Sequence, residues 1–363
     1  MKLTLKIKLL PNDEQHKLLI QTIKEANLAC NKISDIAFEN KYFQQFKLHK
    51  FSYHIIKKSF NLSAQIIVRC ISKVADSYKL DRKNKRIFRE MGSISYDPRI
   101  LTYKPNDIVS IWVIGGRLKM PFVCHNRKYI PYIKGEADLV FKKNKFFLFQ
   151  TVDIPDEIIE DVEEFIGVDF GQTDIAVLSD STNYNSEQLK KVRKKYSKVR
   201  ASVQSKGTKG SKKLLKRLSG KEKHFVSINN HLISKQIVQK AKDEHKGIAI
   251  EDLSHIRKTA KPKSKAQKTE LNRWSFYQLR QFMTYKAKLS GIKLVAIPPA
   301  YTSKTCSVCN HIGIRNGKHF RCENCGNTMD ADHNAAKNIA TWGRIVTDPE
   351  KSDMFSCSLH LSY

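Results

Sequence analysis

Asp169, Glu251 and Asp332 stand in three separate stretches, FIGVDF, AIEDLSH and DADHNAAKNIA. Carboxylates converging from separate elements are the hard oxygen ligands that magnesium prefers. Two divalent ions held in this way can activate water and stabilise charge on the attacking and leaving oxygens of a phosphodiester. Each acid taken singly also has a structural explanation. Asp332, two residues beyond Asp330, would serve as the N-cap of a helix, and Glu251 would mark the point where a buried strand reaches solvent. Asp169 is harder to explain structurally, because it sits amid Ile166, Val168 and Phe170, where a lone carboxylate is costly.

A second constellation lies between the last two acids. Cys306-Ser-Val-Cys309 and Cys322-Glu-Asn-Cys325 form two knuckles separated by a hairpin-like stretch with Gly313 and Asn316-Gly317. Four thiolates at this spacing satisfy tetrahedral zinc completely, which makes the site structural rather than catalytic. A redox Cys-x-x-Cys would need a single pair ahead of a helix. Cys30, Cys70, Cys124 and Cys357 are scattered and read as buried free thiols, so the paired cysteines are expected to be metal ligands in a reducing compartment. The knuckles precede Asp332, and metal loss should loosen the loop that positions it.

The elements that must hold these residues can be read from periodicity. Leu3 to Leu9 alternates like a half-buried strand, and helical patterning then runs to about Lys85. From Ser93 to Pro155 the chain turns to short β-rich runs such as VSIWVIGG, RLKMPFV, ADLVFKK and KFFLFQTVDI. The acidic stretch Asp156 to Glu164 reads as a linker. After it EFIGVDFGQ and DIAVLSDS read as two strands, Asn185 to His245 as a long Lys-rich helical region, and GIAIEDL as a strand buried on both faces. A basic linker, KTAKPKSKAQKTE, leads to the helix WSFYQLRQFMTYKAKLSG and the strand IKLVAIPP, and a helix beginning near Asp330 closes the folded part. Strands feeding helices in this order describe an α/β layer fold. Trp274, Phe276, Tyr277 and Tyr285 fall at near-helical spacing and are read mainly as core, with base stacking as the alternative.

The 363 residues carry 66 Lys plus Arg against 35 Asp plus Glu, a formal net charge of +31. Such an excess repels itself unless a polyanion neutralises it, which points to nucleic acid rather than an anionic membrane surface. From Lys190 to Lys223 the only acid is Glu222, and charge of one sign suits a phosphate backbone better than an ordinary solvated face. No apolar run is long enough to span a bilayer, and MKLTLKIKLLPNDEQ is too charged for a signal peptide, so a cytoplasmic protein is expected.

These motifs resemble a known family over nearly the whole chain. GVDFGQTDIAVLSD, IAIEDLSHIRK and DADHNAAKNIA are similar to the three RuvC motifs of TnpB, the RNA-guided DNA endonuclease of bacterial and archaeal insertion sequences, and WSFYQLRQFMTYKAKLSGIKLVAIPPAYTSKTCSVC resembles the stretch between the last two. The resemblance implies a multidomain α/β protein. Residues 1–11 and 93–155 would form a wedge-like β-barrel, and 12–92 a helical recognition insert. Residues 156–300 and 330–346 would form an RNase H-like RuvC nuclease domain, and 301–329 a zinc-ribbon insert; 347–363 is a tail of unknown structure.

By the same resemblance Asp169, Glu251 and Asp332 are the catalytic carboxylates, holding two Mg2+ or Mn2+ ions, with Asp330 a nearby acid of less defined role. Cys306, Cys309, Cys322 and Cys325 hold one structural Zn2+, and the ribbon helps load the target strand. Arg321 is read as a surface arginine, with contact to the scissile phosphate as the alternative. The implied partners are a guide RNA derived from the mobile-element end and double-stranded target DNA bearing a short adjacent motif. The protein would act as a single copy on its RNA, without membrane, in a nucleoid-associated location. Lys258 to Lys268 is expected to be a mobile lid or tether. Three rival readings share parts of this pattern: a compact type V CRISPR effector, a guided DNA-binding repressor without cleavage, and a cut-and-paste transposase.

Overall fold

The computed structural model describes residues 1–253, 256 and 264–347. The chain divides into two compact units, with the division falling between Pro155 and Asp156.

The first unit is organised around β1 (Lys2–Leu9), whose alternate residues Leu5, Ile7 and Leu9 are buried. It lies inside a seven-stranded sheet completed by β2 (Ile94–Tyr96), β3 (Leu101–Lys104), β4 (Ile108–Val113), β5 (Gly116–Cys124), β6 (Ile133–Lys142) and β7 (Lys145–Asp153). The strand order is β2-β6-β7-β1-β5-β4-β3, and each pairing is antiparallel. The two edge strands follow one another in sequence. Asp97, between them, accepts the N–H groups of Ile100 and Leu101 at 3.0 Å each. Tyr96 on one edge donates its hydroxyl to the carbonyl of Trp112 near the other at 3.0 Å, so the sheet is a nearly closed barrel.

Between β1 and β2 run α1 (Asp13–Glu39), α2 (Gln45–Ser59) and α3 (Ala64–Leu80). A reciprocal capping box between Asn12 and Gln15 starts α1, satisfying donors that the first turn leaves open. Ile33 and Val74 are fully buried in this unit, and Ser34 and Tyr78 share a 2.8 Å hydrogen bond. Cys30, Cys70 and Cys124 are buried free thiols.

The second unit holds a five-stranded sheet of β8 (Phe165–Asp169), β9 (Asp174–Leu178), β10 (Asn183–Asn185), β11 (Gly247–Glu251) and β12 (Leu294–Ile297), in the order β10-β9-β8-β11-β12. β8 runs antiparallel to β9 and parallel to β11, and β11 is parallel to β12. Long connections bring the parallel strands together. They contain α4 (Glu187–Ser205), α5 (Lys209–Asp243), α6 (Lys265–Arg273) and α7 (Phe276–Leu289), while α8 (Ala331–Thr347) follows the last strands.

Helices cover both faces of this sheet. Ile166, Val168, Ile248 and Ile250 pack with Ile237 of α5 and with Phe276, Leu279 and Met283 of α7. On the opposite face Phe165, Ala249 and Ile297 pack with Ile339 and Trp342 of α8. A central parallel strand covered on both sides has no solvent face, which explains why GIAI is apolar without alternation.

The Lys-rich region is helical as the sequence predicts, whereas the basic linker is helical in part. The Lys-rich helical region breaks into α4 and α5 at Gly207, whose φ of +63° is the left-handed conformation that glycine adopts at little cost. Glu222, the lone acid of that run, pairs with Arg200 across the two helices at 2.5 Å. The second half of the supposed basic linker is helix α6, because the Ser264 hydroxyl accepts the N–H of Gln267 at 3.2 Å and so caps it. The remainder of the proposed lid, residues 258–263, lies outside the described residues, as do 348–363 with Cys357. Of the aromatics singled out in the sequence, Phe276 of α7 is core, Trp274 just after α6 packs against it, and Tyr277 of α7 is exposed. Among the described residues no helix is long and apolar enough to cross a membrane.

Candidate functional site

Asp169 is the last residue of β8 and Glu251 the last residue of β11. The parallel register pairs Val168 with Ile250, so the two acids occupy the next step of adjacent strands. Asp332 enters from the first turn of α8, which packs across β8. The three sequence-identified acids therefore converge at one end of the sheet.

Their electrostatics follow from that convergence. Burial first, and then the neighbouring charges of Glu251 and Asp332, push the Asp169 carboxyl up to about 8. Burial also raises Glu251 and Asp332, with the Arg315 guanidinium opposing the rise in both. A buried carboxyl whose proton affinity is raised further by two acidic neighbours is in want of positive charge, and hard oxygen donors suit a divalent cation of the magnesium type.

Asp330 settles the competing account of Asp332. Its Oδ1 accepts the backbone N–H groups of Asp332 at 2.9 Å and His333 at 3.1 Å. Asp330 is thus the cap of α8, and the Asp332 carboxylate is left for other partners.

Several residues that orient the acids carried no signal in the sequence. The buried hydroxyl of Thr302 donates to Glu251 Oε1 at 2.5 Å. Thr302 is held in turn by Asn338 of α8, whose Nδ2 donates to the carbonyls of Thr302 at 2.8 Å and Thr305 at 2.6 Å. Asn334, one turn earlier, donates to the Thr305 carbonyl at 2.7 Å and accepts the Ser307 N–H at 2.9 Å. The two asparagines of DADHNAAKNIA are four residues apart on one helix face, and they clamp the strand of chain that enters the cysteine knuckles.

Those knuckles carry a small antiparallel sheet of β13 (Ile314–Asn316), β14 (His319–Arg321) and β15 (Thr328–Asp330). Its core is Cys306, Phe320, Cys322 and Ala331. The Sγ atoms of Cys309 and Cys322 lie 3.4 Å apart and those of Cys306 and Cys325 3.7 Å apart. All four ligand atoms fall within 4.8 Å of one another. Tetrahedral zinc with Zn–S bonds of about 2.3 Å needs sulfurs about 3.8 Å apart. The four-cysteine cluster is therefore built to hold a metal ion such as zinc. The backbone N–H of His311 beside Cys309 helps bring that thiol down to about 6, toward the thiolate that metal binding requires.

The same hairpin reaches the acids. Arg315 of β13 places Nη2 2.8 Å from Asp332 Oδ1, and Lys318 in the turn pairs with the buried Asp174 at the start of β9. Arg321, the arginine singled out in the sequence, is exposed. The cross-strand pairs explain the difference, since partners share a face: Arg315 stands opposite buried Phe320, while Arg321 stands opposite exposed Ile314.

Comparison with known proteins places this arrangement. A family model described as Cas12f1-like, TNB domain, matches residues 276–339. The TnpB-like protein MJ0751 of Methanocaldococcus jannaschii is 34% identical over 183 residues, which cover 48% of this chain and 66% of that protein. The CRISPR-associated endodeoxyribonuclease Cas12f1 of Sulfoacidibacillus thermotolerans is 33% identical over 220 residues, covering 55% of this chain and 50% of that one. The chain thus spans about half to two thirds of the length of these relatives. A solved structure of the mini-RNA-guided endonuclease CRISPR-Cas_phi3 has a similar fold, with a TM-score of 0.53 at 10% identity over 95% of this chain and 92% of that one. With the family model spanning the cysteine knuckles and Asp332, and with this identity to a TnpB-like protein, the chain belongs to the TnpB family.

Proposed function

We propose that this chain is a transposon-encoded, RNA-guided DNA endonuclease that cuts double-stranded DNA beside a short adjacent motif. The observation that carries the proposal is the convergence of Asp169, Glu251 and Asp332 from β8, β11 and α8 at one end of the sheet. Two Mg2+ ions bound there would supply an activated water and charge stabilisation for phosphodiester hydrolysis. On this reading the protein's own work is to hold three carboxylates in place: Thr302 orients Glu251, Asp330 frees Asp332 by capping α8, and β8 fixes Asp169.

The second unit is then an RNase H-like RuvC nuclease domain, residues 156–300 and 330–346, with the ribbon at 301–329 holding one structural Zn2+. The barrel strands of residues 1–11 and 93–155 are the wedge, and 12–92 the recognition insert. The net charge of +31 supports a guide RNA and a DNA target as partners. In a guided effector the protein reads a short duplex motif while RNA pairing supplies sequence specificity.

The experiment is to purify the chain from cells expressing its native locus, sequence the RNA that accompanies it, and add matching DNA with Mg2+. A discrete RNA and guide-dependent cuts, lost in Asp169→Ala with RNA binding retained, are expected. Cutting without RNA would return the protein to an ordinary nuclease or transposase, and target binding without cuts would make it a guided repressor. A second reading, a compact type V CRISPR effector, draws on the 33% identity to Cas12f1. A CRISPR array rather than an insertion-sequence end beside the gene would establish it.

A further inference from the structure

Asp332 already has a cationic partner, and that partner comes from the ribbon. We propose that Arg315 and a divalent cation are alternative partners of the Asp332 carboxylate, so that the ribbon hairpin sets how readily the acid cluster takes up its metal. This inference rests on the assignment of Asp169, Glu251 and Asp332 as the metal site.

The geometry is specific. Arg315 Nη2 stands 2.8 Å from Asp332 Oδ1, and its Nε donates to the Gly317 carbonyl at 3.1 Å. The guanidinium is thereby fixed over its own turn and aimed at α8. Gly317 has a φ of +60°, which lets the turn fold back tightly enough for that bond. The turn is tied to the site twice more. The Lys318 carbonyl accepts the N–H of Ala331, the residue before Asp332, at 2.7 Å, and the Lys318 ammonium pairs with Asp174.

Asp332 is only 9% exposed. A buried carboxylate needs a positive partner, and a guanidinium supplies a directional one. A divalent ion on Oδ1 would claim the same lone pairs and would be repelled by a guanidinium that stayed, so uptake requires Arg315 to withdraw. Arg315 is a third exposed at its side chain, leaving it a solvent path to withdraw along.

A purely structural salt bridge predicts the opposite response, which makes the proposal testable. If Arg315 only holds Asp332 in place, removing it weakens metal binding; if it competes, removing it strengthens binding. The measurement is Mn2+ titration of the zinc-loaded full chain by electron paramagnetic resonance, at a fixed alkaline pH. Arg315→Met is expected to bind Mn2+ about tenfold more tightly, the scale of one partly screened charge. Arg315→Lys is expected to fall between, keeping the charge and losing the fork. In the parent chain, hydrogen exchange at residues 314–321 should quicken when Mn2+ is added. Unchanged or weaker binding in Arg315→Met, with zinc content retained, would overturn the proposal. If instead Asp169→Asn leaves Mn2+ binding of the parent chain unaltered, the carboxylates are not the metal site and the fault lies with that assignment.

Discussion

A Cβ atom added at Gly167 would lie 1.9 Å from the carbonyl oxygen of Ala336 and 2.5 Å from the amide nitrogen of Ala340. The backbones of β8 and α8 are in direct contact there, two residues from Asp169 and four from Asp332. The glycine of the GVD motif is thus a packing residue that sets the spacing between two acids. Because the obstruction is backbone, no rotamer change relieves it. Gly167→Ala is expected to lose about 1–3 kcal/mol of stability through forced displacement of α8. It should also weaken Mn2+ binding by moving Asp332. Thermal denaturation and Mn2+ titration of the same preparation check both, and an unshifted melting temperature would contradict the packing argument.

Protonation of Asp169 gives a pH dependence with a definite sign. Burial and its acidic neighbours hold the carboxyl at about 8 in the folded chain against an ordinary 3.8. Between those values the folded state retains a proton that the unfolded state releases, so the contribution of Asp169 to stability falls as pH rises through that window. Asp169→Asn should therefore gain melting temperature over the parent chain in chelator, and the gain should be larger at the alkaline end. A gain that is equal at both ends would refute it. Mn2+ must displace the same proton, so affinity should weaken by about tenfold per pH unit below the Asp169 value.

Thr302→Val tests the orientation of Glu251. Valine keeps the shape but removes the hydroxyl that donates to Oε1. A buried carboxylate deprived of a donor costs about 1–3 kcal/mol and holds its proton to higher pH. The expected result is a lower melting temperature together with an alkaline shift of the Mn2+-binding profile. A profile that stays in place would mean that Thr302 serves only the fold.

Zinc removal should reach the acid cluster through the hairpin. Metal analysis is expected to find about one zinc per chain, by the four-ligand rule, and Cys309→Ser to lose it. The knuckles carry β13 and β15, which hold Arg315 and lead into Asp332. Hydrogen exchange should rise at residues 302–330 in the variant and stay low in β8 and β11, whose core lies under α5 and α7. Uniform exchange across the whole second unit would instead show that the ribbon supports the entire domain.

How much of this could be read in advance depends on the range over which each signal acts. The four cysteines were legible because ligand spacing is local and zinc tolerates few arrangements. Asp169 was legible because a charge among Ile166, Val168 and Phe170 contradicts its surroundings. Helix α6 was not, because lysines and Pro262 dominate the composition of KTAKPKSKAQKTE while its start is decided by one Ser264 hydroxyl. Asp332 read equally well as a cap, and only the bonds to Asp330 assign the cap elsewhere.

The amino-acid order by itself determined the inventory: three acids at strand ends and a helix start, four thiols in two knuckles, a chain of high positive charge, and strands that must be covered on both faces. Tertiary structure alone decided which groups meet. Arg315 and not Arg321 faces the acids, Lys318 finds Asp174, Thr302 finds Glu251, and Asn334 and Asn338 clamp the ribbon entrance. Patterns of period and spacing report on neighbours along the chain, whereas these contacts join residues brought together by strand register and helix packing, and an arginine has the same sequence signature whether it ends in water or on a buried carboxylate.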